Sequence, residues 1–210
     1  MVDSRSKKAR SVKHDSKRRV ILDAARMLFA HDGVGSVSMR NLARDVGCSA
    51  AVLYRYFPSK EAILWELRCE GIRLLNDALM PSAEITDPLE RLQHLGKVYV
   101  QHGLAHLEYY ELMFRTPFYE FDAGALPEGL PTDALELLHT TVSDCMKEGY
   151  FAGSTHGTVV SSMWALVHGV VSLILNGRAG LMIGQGEIQA MVENVPDLVI
   201  SLARVARGKC

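Results

Sequence analysis

The sequence predicts an all-α protein, with a small N-terminal three-helix domain (residues 16–60) and a larger helical C-terminal domain (residues 61–207). Apolar residues recur at helical spacing along most of the 210-residue chain, and no stretch alternates apolar and polar residues long enough to indicate a β-strand. Residues 1–60 contain 13 Lys and Arg against 5 Asp and Glu, whereas the remaining residues contain 10 against 19. This asymmetry indicates two parts with different tasks, the basic one facing a polyanion.

The N-terminal domain begins with two helices. Apolar residues on one face predict a first helix over Ser16–Ala30, and Gly33 is suited to ending it. Ser38 is a candidate N-cap for a second helix, which Gly47 ends. Residues 1–15 are basic and have almost no apolar side chains, so we expect a disordered arm, which could add phosphate or minor-groove contacts.

A short third helix follows the glycine turn. It is capped by Ser49 and ends before Pro58, and inward-facing Val52 or Leu53, together with Phe57, should fix it. Ser59 can cap a fourth helix. The two short helices and the turn between them, residues 38–57, have the pattern of a helix-turn-helix, in which the second helix enters the major groove of DNA.

The C-terminal domain also consists of helical segments. They are predicted over Pro88–Leu107, Tyr109–Phe114, Thr132–Tyr150 (opened by Asp133 and Glu136 as a capping box), Thr155–Asn176 and Glu187–Val205. The Gly- and Pro-rich stretch Phe121–Pro131 predicts a linker, and Pro196 should kink the last helix or mark its restart. Thr155–Asn176 has no charged residue, but its internal serines and histidine favour a buried or interface helix over a membrane span.

The stretch GCSAAVLYRYFPSK, residues 47–60, suits a DNA-reading helix. Its small residues would let the helix backbone approach base edges, and its two tyrosines offer hydroxyls to phosphates. Lys60 stands near a helix N-terminus, where free N–H groups favour a phosphate. A helical core fragment with incidental surface tyrosines is the alternative.

Residues 16–65 resemble the DNA-binding domain of the TetR family of bacterial transcriptional regulators. The residues that carry the resemblance are Ile21, Ala24, Ala25, Leu28, Phe29, Gly33, Ser38, Met39, Leu42, Ala43, Val46, Gly47, Ser49, Leu53, Tyr54, Tyr56, Phe57, Ser59 and Lys60. The resemblance implies an all-helical dimer with three DNA-binding helices and a C-terminal domain for ligand binding and dimerisation.

Candidate DNA contacts follow from the same resemblance. Residues expected at the DNA are Ser38, Arg40, Ser49, Ala50, Ala51, Tyr54, Arg55, Tyr56 and Lys60. Alanines stand at positions 50 and 51, where larger polar residues are common in the family. Direct base readout therefore falls to Arg55, Tyr54 and Arg40, with methyl contacts to thymine as a further possibility.

The C-terminal domain offers candidate effector contacts. Trp164, His168 and Gly169 resemble the W-x-x-x-H-G signature of one TetR C-terminal subgroup. Aromatic, histidine and methionine residues that could line a pocket are Tyr99, His102, His106, Tyr109, Tyr110, Met113, Phe114, Phe118, Tyr119, Trp164 and His168. A packed core uses the same residue types. His102 and His106 are four residues apart and could hold a metal, but no third ligand stands at a telling distance.

The function favoured by these features is a dimeric repressor, paired through the last two helices and released from a palindromic operator by a small, apolar effector. An activator, or a DNA-binding architectural protein without ligand control, is the alternative. An enzyme is disfavoured, because the chain has no nucleophile elbow, phosphate loop or H-E-x-x-H motif. Four scattered cysteines favour a reducing cytoplasm, and we expect no cofactor, metal or membrane partner.

Overall fold

The computed structural model describes residues 2–114 and 129–207, and these residues contain no β-strand. Helix accounts for 79% of the structure, which confirms the all-α prediction. The helices are α1 (Val2–Asp32), α2 (Met39–Asp45), α3 (Ala50–Tyr54), α4 (Lys60–Leu79), α5 (Pro88–Ala105), α6 (Leu107–Phe114), α7 (Asp133–Lys147), α8 (His156–Leu175), α9 (Ala179–Met182) and α10 (Ile188–Arg207). Short 3₁₀ turns occupy Met80–Glu84 and Gln185–Glu187.

The described residues divide into two compact units. The first unit holds residues 2–72 and 108–114, and the second holds 73–107 and 129–207. In this division the part of α4 up to residue 72 and nearly all of α6 belong with the N-terminal helices. The domain boundary between residues 60 and 61 stays a prediction.

Helix α1 is longer than the sequence pattern predicts. It runs from Val2, so the basic segment expected to be disordered is the N-terminal part of a 31-residue helix. No glycine or proline precedes Gly33, and lysine, arginine and alanine favour helix. Once α1 has formed around its apolar face, extending it costs far less than starting a new helix.

The helix starts and turns of the first unit agree with the predicted capping residues. Ser38 Oγ accepts a hydrogen bond from Asn41 N (3.1 Å), and Ser49 Oγ accepts one from Val52 N (3.3 Å). Ser59 Oγ likewise accepts from Ala62 N (3.2 Å) at the start of α4. The turn between α2 and α3 contains Gly47 at φ +70, a left-handed conformation that glycine adopts without steric cost.

Helix α6 packs closely on α4 in the first unit. Gly71 of α4 lies against Met113 and Tyr109, and an added Cβ would come within 2.9 Å of the Met113 sulfur. Arg68, which is 5% exposed, donates from Nε to the Leu112 carbonyl (2.9 Å). The buried arginine and the missing side chain at Gly71 together fix α6 against α4.

The second unit is built around α5, which packs against α7, α8 and α10. Its core is apolar and consists of Leu89, Leu92, Val142, Cys145, Tyr150, Val159, Val160, Ile200 and Ala203. The predicted capping box at Asp133 is wrong by one residue, since Thr132 is the N-cap and Asp133 lies in the first turn. Asp133 instead accepts a hydrogen bond from Asn76 Nδ2 (3.1 Å).

Helix α8 carries an unusual amount of uncovered apolar surface. It contains no Asp, Glu, Lys or Arg and, within the described residues, is the one helix long and apolar enough to cross a membrane. A single such helix is weak support for a membrane span, because core and interface helices share its composition. Only 22% of the residues in the most apolar 18-residue stretch of α8 are buried, and Trp164 is 46% exposed. Helix α10 follows after α9 and runs through Pro196 without a restart.

Candidate nucleic-acid interface

The third helix is anchored by two fully buried side chains. Leu53 is 0% exposed and Phe57 is 1% exposed, and they pack in the same unit as Leu42 of α2. The guanidinium of Arg18 lies 4.6 Å from the centroid of the Phe57 ring and covers it from α1. With these contacts in place, the opposite face of the short helix points to solvent.

The solvent face of α3 carries most of the residues that were predicted to face DNA. Ser49, Ala51 and Arg55 are exposed, Tyr54 is 52% exposed, and Ala50 is half-buried. The small side chains leave the helix backbone accessible, while the longer Tyr54 and Arg55 project at its C-terminal end. This is a shape that fits the major groove of B-DNA.

Helix α2 adds exposed cations beside this face. Arg40 and Arg44 are both exposed and lie one helical turn apart. A groove of about 500 Å³ joins the start of α2 to Tyr54 and the start of α4, with Arg40 and Lys60 in its lining. Arg44 was absent from the predicted contacts, although its i+4 spacing from Arg40 was a usable signal.

Two of the predicted DNA contacts have protein partners. Lys60 Nζ donates to the carbonyl of Val34 (2.8 Å), so part of its hydrogen-bonding capacity serves the loop between α1 and α2. The Tyr56 ring is half-buried and stacks on His14 of α1 with ring centroids 4.7 Å apart. Both side chains therefore hold α1 and its loop in addition to any contact with phosphate.

The arginines of α1 form intramolecular ion pairs. Arg18 pairs with Glu66 of α4, and Arg19 Nη1 lies 2.6 Å from Glu70 Oε1. Arg26 Nη1 lies 2.5 Å from Glu108 Oε1 on α6. The hydrogen bond to Asp23 is the main reason that the pKa of Arg19 is raised above its usual range. Much of the basic excess of the N-terminal quarter thus holds the first unit together.

In the second unit, one predicted effector residue of α5 contacts two of α8 as a group, and two histidines at the end of α5 form a separate pair. The Tyr99 hydroxyl hydrogen-bonds with His168 Nδ1 (3.2 Å), and the rings of His168 and Trp164 lie 5.3 Å apart. The rings of His102 and His106 are 4.4 Å apart. Among the described residues, no third metal-ligating side chain joins this histidine pair.

The predicted effector residues of α6 lie apart from that group, in the first unit. Tyr109 donates its hydroxyl hydrogen bond to Glu70 (2.8 Å), and Met113 is 2% exposed against Gly71. Phe114 packs edge-on against Tyr110, with ring centroids 4.9 Å apart. These residues pack α6 onto α1 and α4. Phe118, Tyr119 and most of the predicted linker lie outside the described residues.

The sequence matches two family profiles. The profile of bacterial regulatory proteins of the tetR family matches residues 21–67, and that of a tetracyclin repressor-like C-terminal domain matches residues 92–196, half of the chain. The chain belongs to the TetR family. The curated relatives are HTH-type transcriptional regulators and nucleoid occlusion factors such as SlmA of Vibrio vulnificus, not enzymes. The W-x-x-x-H-G subgroup stays a prediction.

Similar proteins share part of this sequence or the fold of the chain. An uncharacterized HTH-type transcriptional regulator of Mycobacterium tuberculosis is 41% identical over 73 residues, a match that spans 34% of this chain and 36% of that relative. A Rhodococcus sp. RHA1 protein of unknown function has a TM-score of 0.69 at 26% identity, over 91% of this chain and 94% of that one. AibR, in complex with isovaleryl coenzyme A and operator DNA, has a TM-score of 0.63 at 19% identity, over 89% and 97%.

Proposed function

We propose that this TetR-family chain is a dimeric repressor that binds a palindromic operator and leaves it when a small, mainly apolar ligand binds. The observation that carries the proposal is the orientation of α3. Leu53 and Phe57 lock one face of the helix into the first unit, while Ser49, Ala51, Tyr54 and Arg55 face outward. A short helix anchored in this way reads base edges without needing to reorder.

The exposed side chains divide into two tasks. Arg55 and Tyr54 are placed to read bases, and Ala50 and Ala51 permit close approach and contact with thymine methyls. Arg40, Arg44 and the hydroxyls of Ser38 and Ser49 contact phosphates, with Tyr56 and Lys60 reaching the backbone from either side. Phosphate contacts set position and affinity, whereas base contacts set the sequence that is preferred.

The dimer forms through α8 and α10. Helix α8 lacks charged side chains, Trp164 of α8 is 46% exposed, and Leu198 of α10 is 57% exposed. Burying these surfaces against the same surfaces of a second copy gives a two-fold four-helix interface. The two α3 helices must then reach half-sites about 34–36 Å apart, or a multiple of that spacing.

The ligand acts by binding one arrangement of the dimer more tightly than the other. Because the two half-sites have a fixed spacing, a shift of a few Å in the separation of the α3 helices prevents both from docking. AibR, a protein of the same fold, was captured with both an acyl-coenzyme A and operator DNA, which supports the two kinds of binding partner proposed here and not the release step. We place the protein in the bacterial cytoplasm, where the DNA is.

The proposal is tested by selecting bound sequences from random duplex DNA and measuring the mass of the free protein in solution. We expect one short palindrome and a dimer. A monomer, or binding without sequence preference at moderate salt, contradicts the proposal. Transcript levels of the adjoining genes in a deletion strain then decide the sign of control, because loss of a repressor raises them and loss of an activator lowers them.

A further inference from the structure

His102 of α5 has a buried polar atom without a partner. Its Nε2 is inaccessible to solvent and makes no hydrogen bond within the described residues. Buried polar atoms are almost always hydrogen-bonded, so this ring nitrogen has the capacity to hydrogen-bond a bound group. Burial, followed by the neighbouring His106, lowers the pKa of His102, so the ring is neutral at pH 7 and offers one N–H donor and one acceptor.

The aromatic side chains next to His102 along α5, and those that they contact on α8, are polar but uncharged. Tyr99 lies one turn before it on α5 and hydrogen-bonds with His168 of α8, next to Trp164. Burial lowers the pKa of His168 as well, so this side chain is also neutral. The groups that α5 and α8 bring together are therefore phenol, indole and imidazole rings.

No cation of these two helices is available to neutralise an anionic ligand. Arg91 Nη2 of α5 lies 2.7 Å from Asp144 of α7, and Lys97 Nζ of α5 lies 3.0 Å from Asp197 of α10. Helix α8 contains no Asp, Glu, Lys or Arg. A buried carboxylate without a paired cation is strongly unfavourable, whereas an uncharged oxygen with one hydrogen bond is well tolerated.

We infer that the effector places an uncharged oxygen, of a hydroxyl, ketone or ester, against Nε2 of His102 on α5. This inference rests on the proposed function, since it names the ligand class for the control proposed above. The apolar remainder of the ligand lies along the aromatic side chains, and the hydrogen bond to His102 fixes its orientation.

The test compares ligands of equal chain length and different charge. Isothermal titration of the purified protein with n-octanol, methyl octanoate and octanoate should show binding of the alcohol or the ester at least about tenfold tighter than binding of octanoate. His102→Phe should weaken the tighter ligand by about tenfold, the value of one hydrogen bond. His139→Phe, which removes an exposed ring from α7, is the matched control and should leave binding unchanged.

The outcomes separate the inference from the proposed function. Three results would overturn the inference: preferential binding of octanoate, no binding of either uncharged compound, or unchanged affinity in His102→Phe. If His102→Phe does not fold, the affinities of the wild-type protein for the three ligands still decide. Each ligand is also added to the protein bound to its selected duplex. Release by octanoate would keep ligand control and discard the uncharged site. If octanol binds in a way that depends on His102 but does not release DNA, the uncharged site is kept and control of DNA binding by this ligand is discarded.

Discussion

Arg26 on α1 and Arg55 at the end of α3 bear the same guanidinium within one compact unit, and they serve opposite ends. Arg26 is 19% exposed in its side chain, pairs with Glu108 and covers the ring of Tyr109 at 5.0 Å. Arg55 is exposed and makes no ion pair within the described residues. The basic residues of the N-terminal segment therefore do not form a single DNA-binding surface. Carboxylates of α4 and α6 pair with the arginines of α1, so these arginines add little to the positive charge presented to DNA.

The largest expected effect is on DNA affinity and comes from replacing the exposed Arg55. Arg55→Ala should lower affinity for the selected operator by about 1–3 kcal/mol, because a bidentate contact to a base is lost. The free energy of unfolding should change by less than about 0.5 kcal/mol, since the side chain is exposed. Titrations on the selected and a scrambled duplex measure this difference. Equal losses on both duplexes would remove Arg55 from the base-reading residues.

Replacing Arg26, which is paired with Glu108, should affect folding stability and leave DNA binding largely unchanged. Arg26→Ala should lower the free energy of unfolding by about 1–2 kcal/mol, since Glu108 is left partly buried without its partner. The dependence of DNA binding on salt should be unchanged, because no phosphate contact is lost. Urea unfolding of Arg26→Ala, Glu108→Ala and the double variant isolates the pair energy. A weaker salt dependence in Arg26→Ala would mean that this arginine reaches DNA after all.

Lys60 combines a proposed phosphate contact with a hydrogen bond inside the protein, so its replacement should affect both DNA binding and folding stability. Lys60→Ala should reduce the salt slope of DNA binding by about one unit on all sequences alike. It should also cost about 0.5–1 kcal/mol of folding stability, because the hydrogen bond to the Val34 carbonyl is lost. Binding at several salt concentrations and a thermal unfolding curve measure the two effects. An unchanged slope would confine Lys60 to its structural bond.

The smallest effect concerns acid stability of the paired cluster. The hydrogen bond from Arg19 lowers the pKa of Asp23, so its stabilisation is present above the ordinary carboxyl pKa of about 4 and is lost as pH falls through the lowered value. Asp23→Asn should therefore be less stable than wild type at neutral pH, and the difference should vanish in acid. Urea unfolding across this pH range tests the prediction, and a difference that persists in acid contradicts it.

Local features of the site were predictable from the sequence, and the partners of its charges were not. Ser38, Ser49 and Ser59 cap helices as predicted, because each cap is a bond to a backbone N–H three residues on. Arg26 and Glu108 are 82 residues apart, and Arg19 and Glu70 are 51 apart. Such pairs depend on how helices pack, which periodicity along one helix does not reveal.

The predicted effector residues fall into two separate groups, because their positions also depend on how the helices pack. Their aromatic, histidine and methionine side chains made Tyr99, His102, Tyr109 and Met113 candidates for one pocket. The close contact at Gly71 draws α6 onto α4, so Tyr109 and Met113 become part of the first unit. Tyr99 instead meets His168, which follows it by 69 residues.

The sequence by itself determined that the chain is helical, where its helix-turn-helix begins and ends, which residues face outward on α3, and the family to which it belongs. These properties arise from local periodicity, capping and glycine turns, which neighbouring residues specify. Only the tertiary structure decided which arginines remain exposed, that α6 packs with α1 and α4, and that His102 is buried without a partner. Those outcomes depend on contacts between distant segments, where burial and pairing change what a given side chain can do.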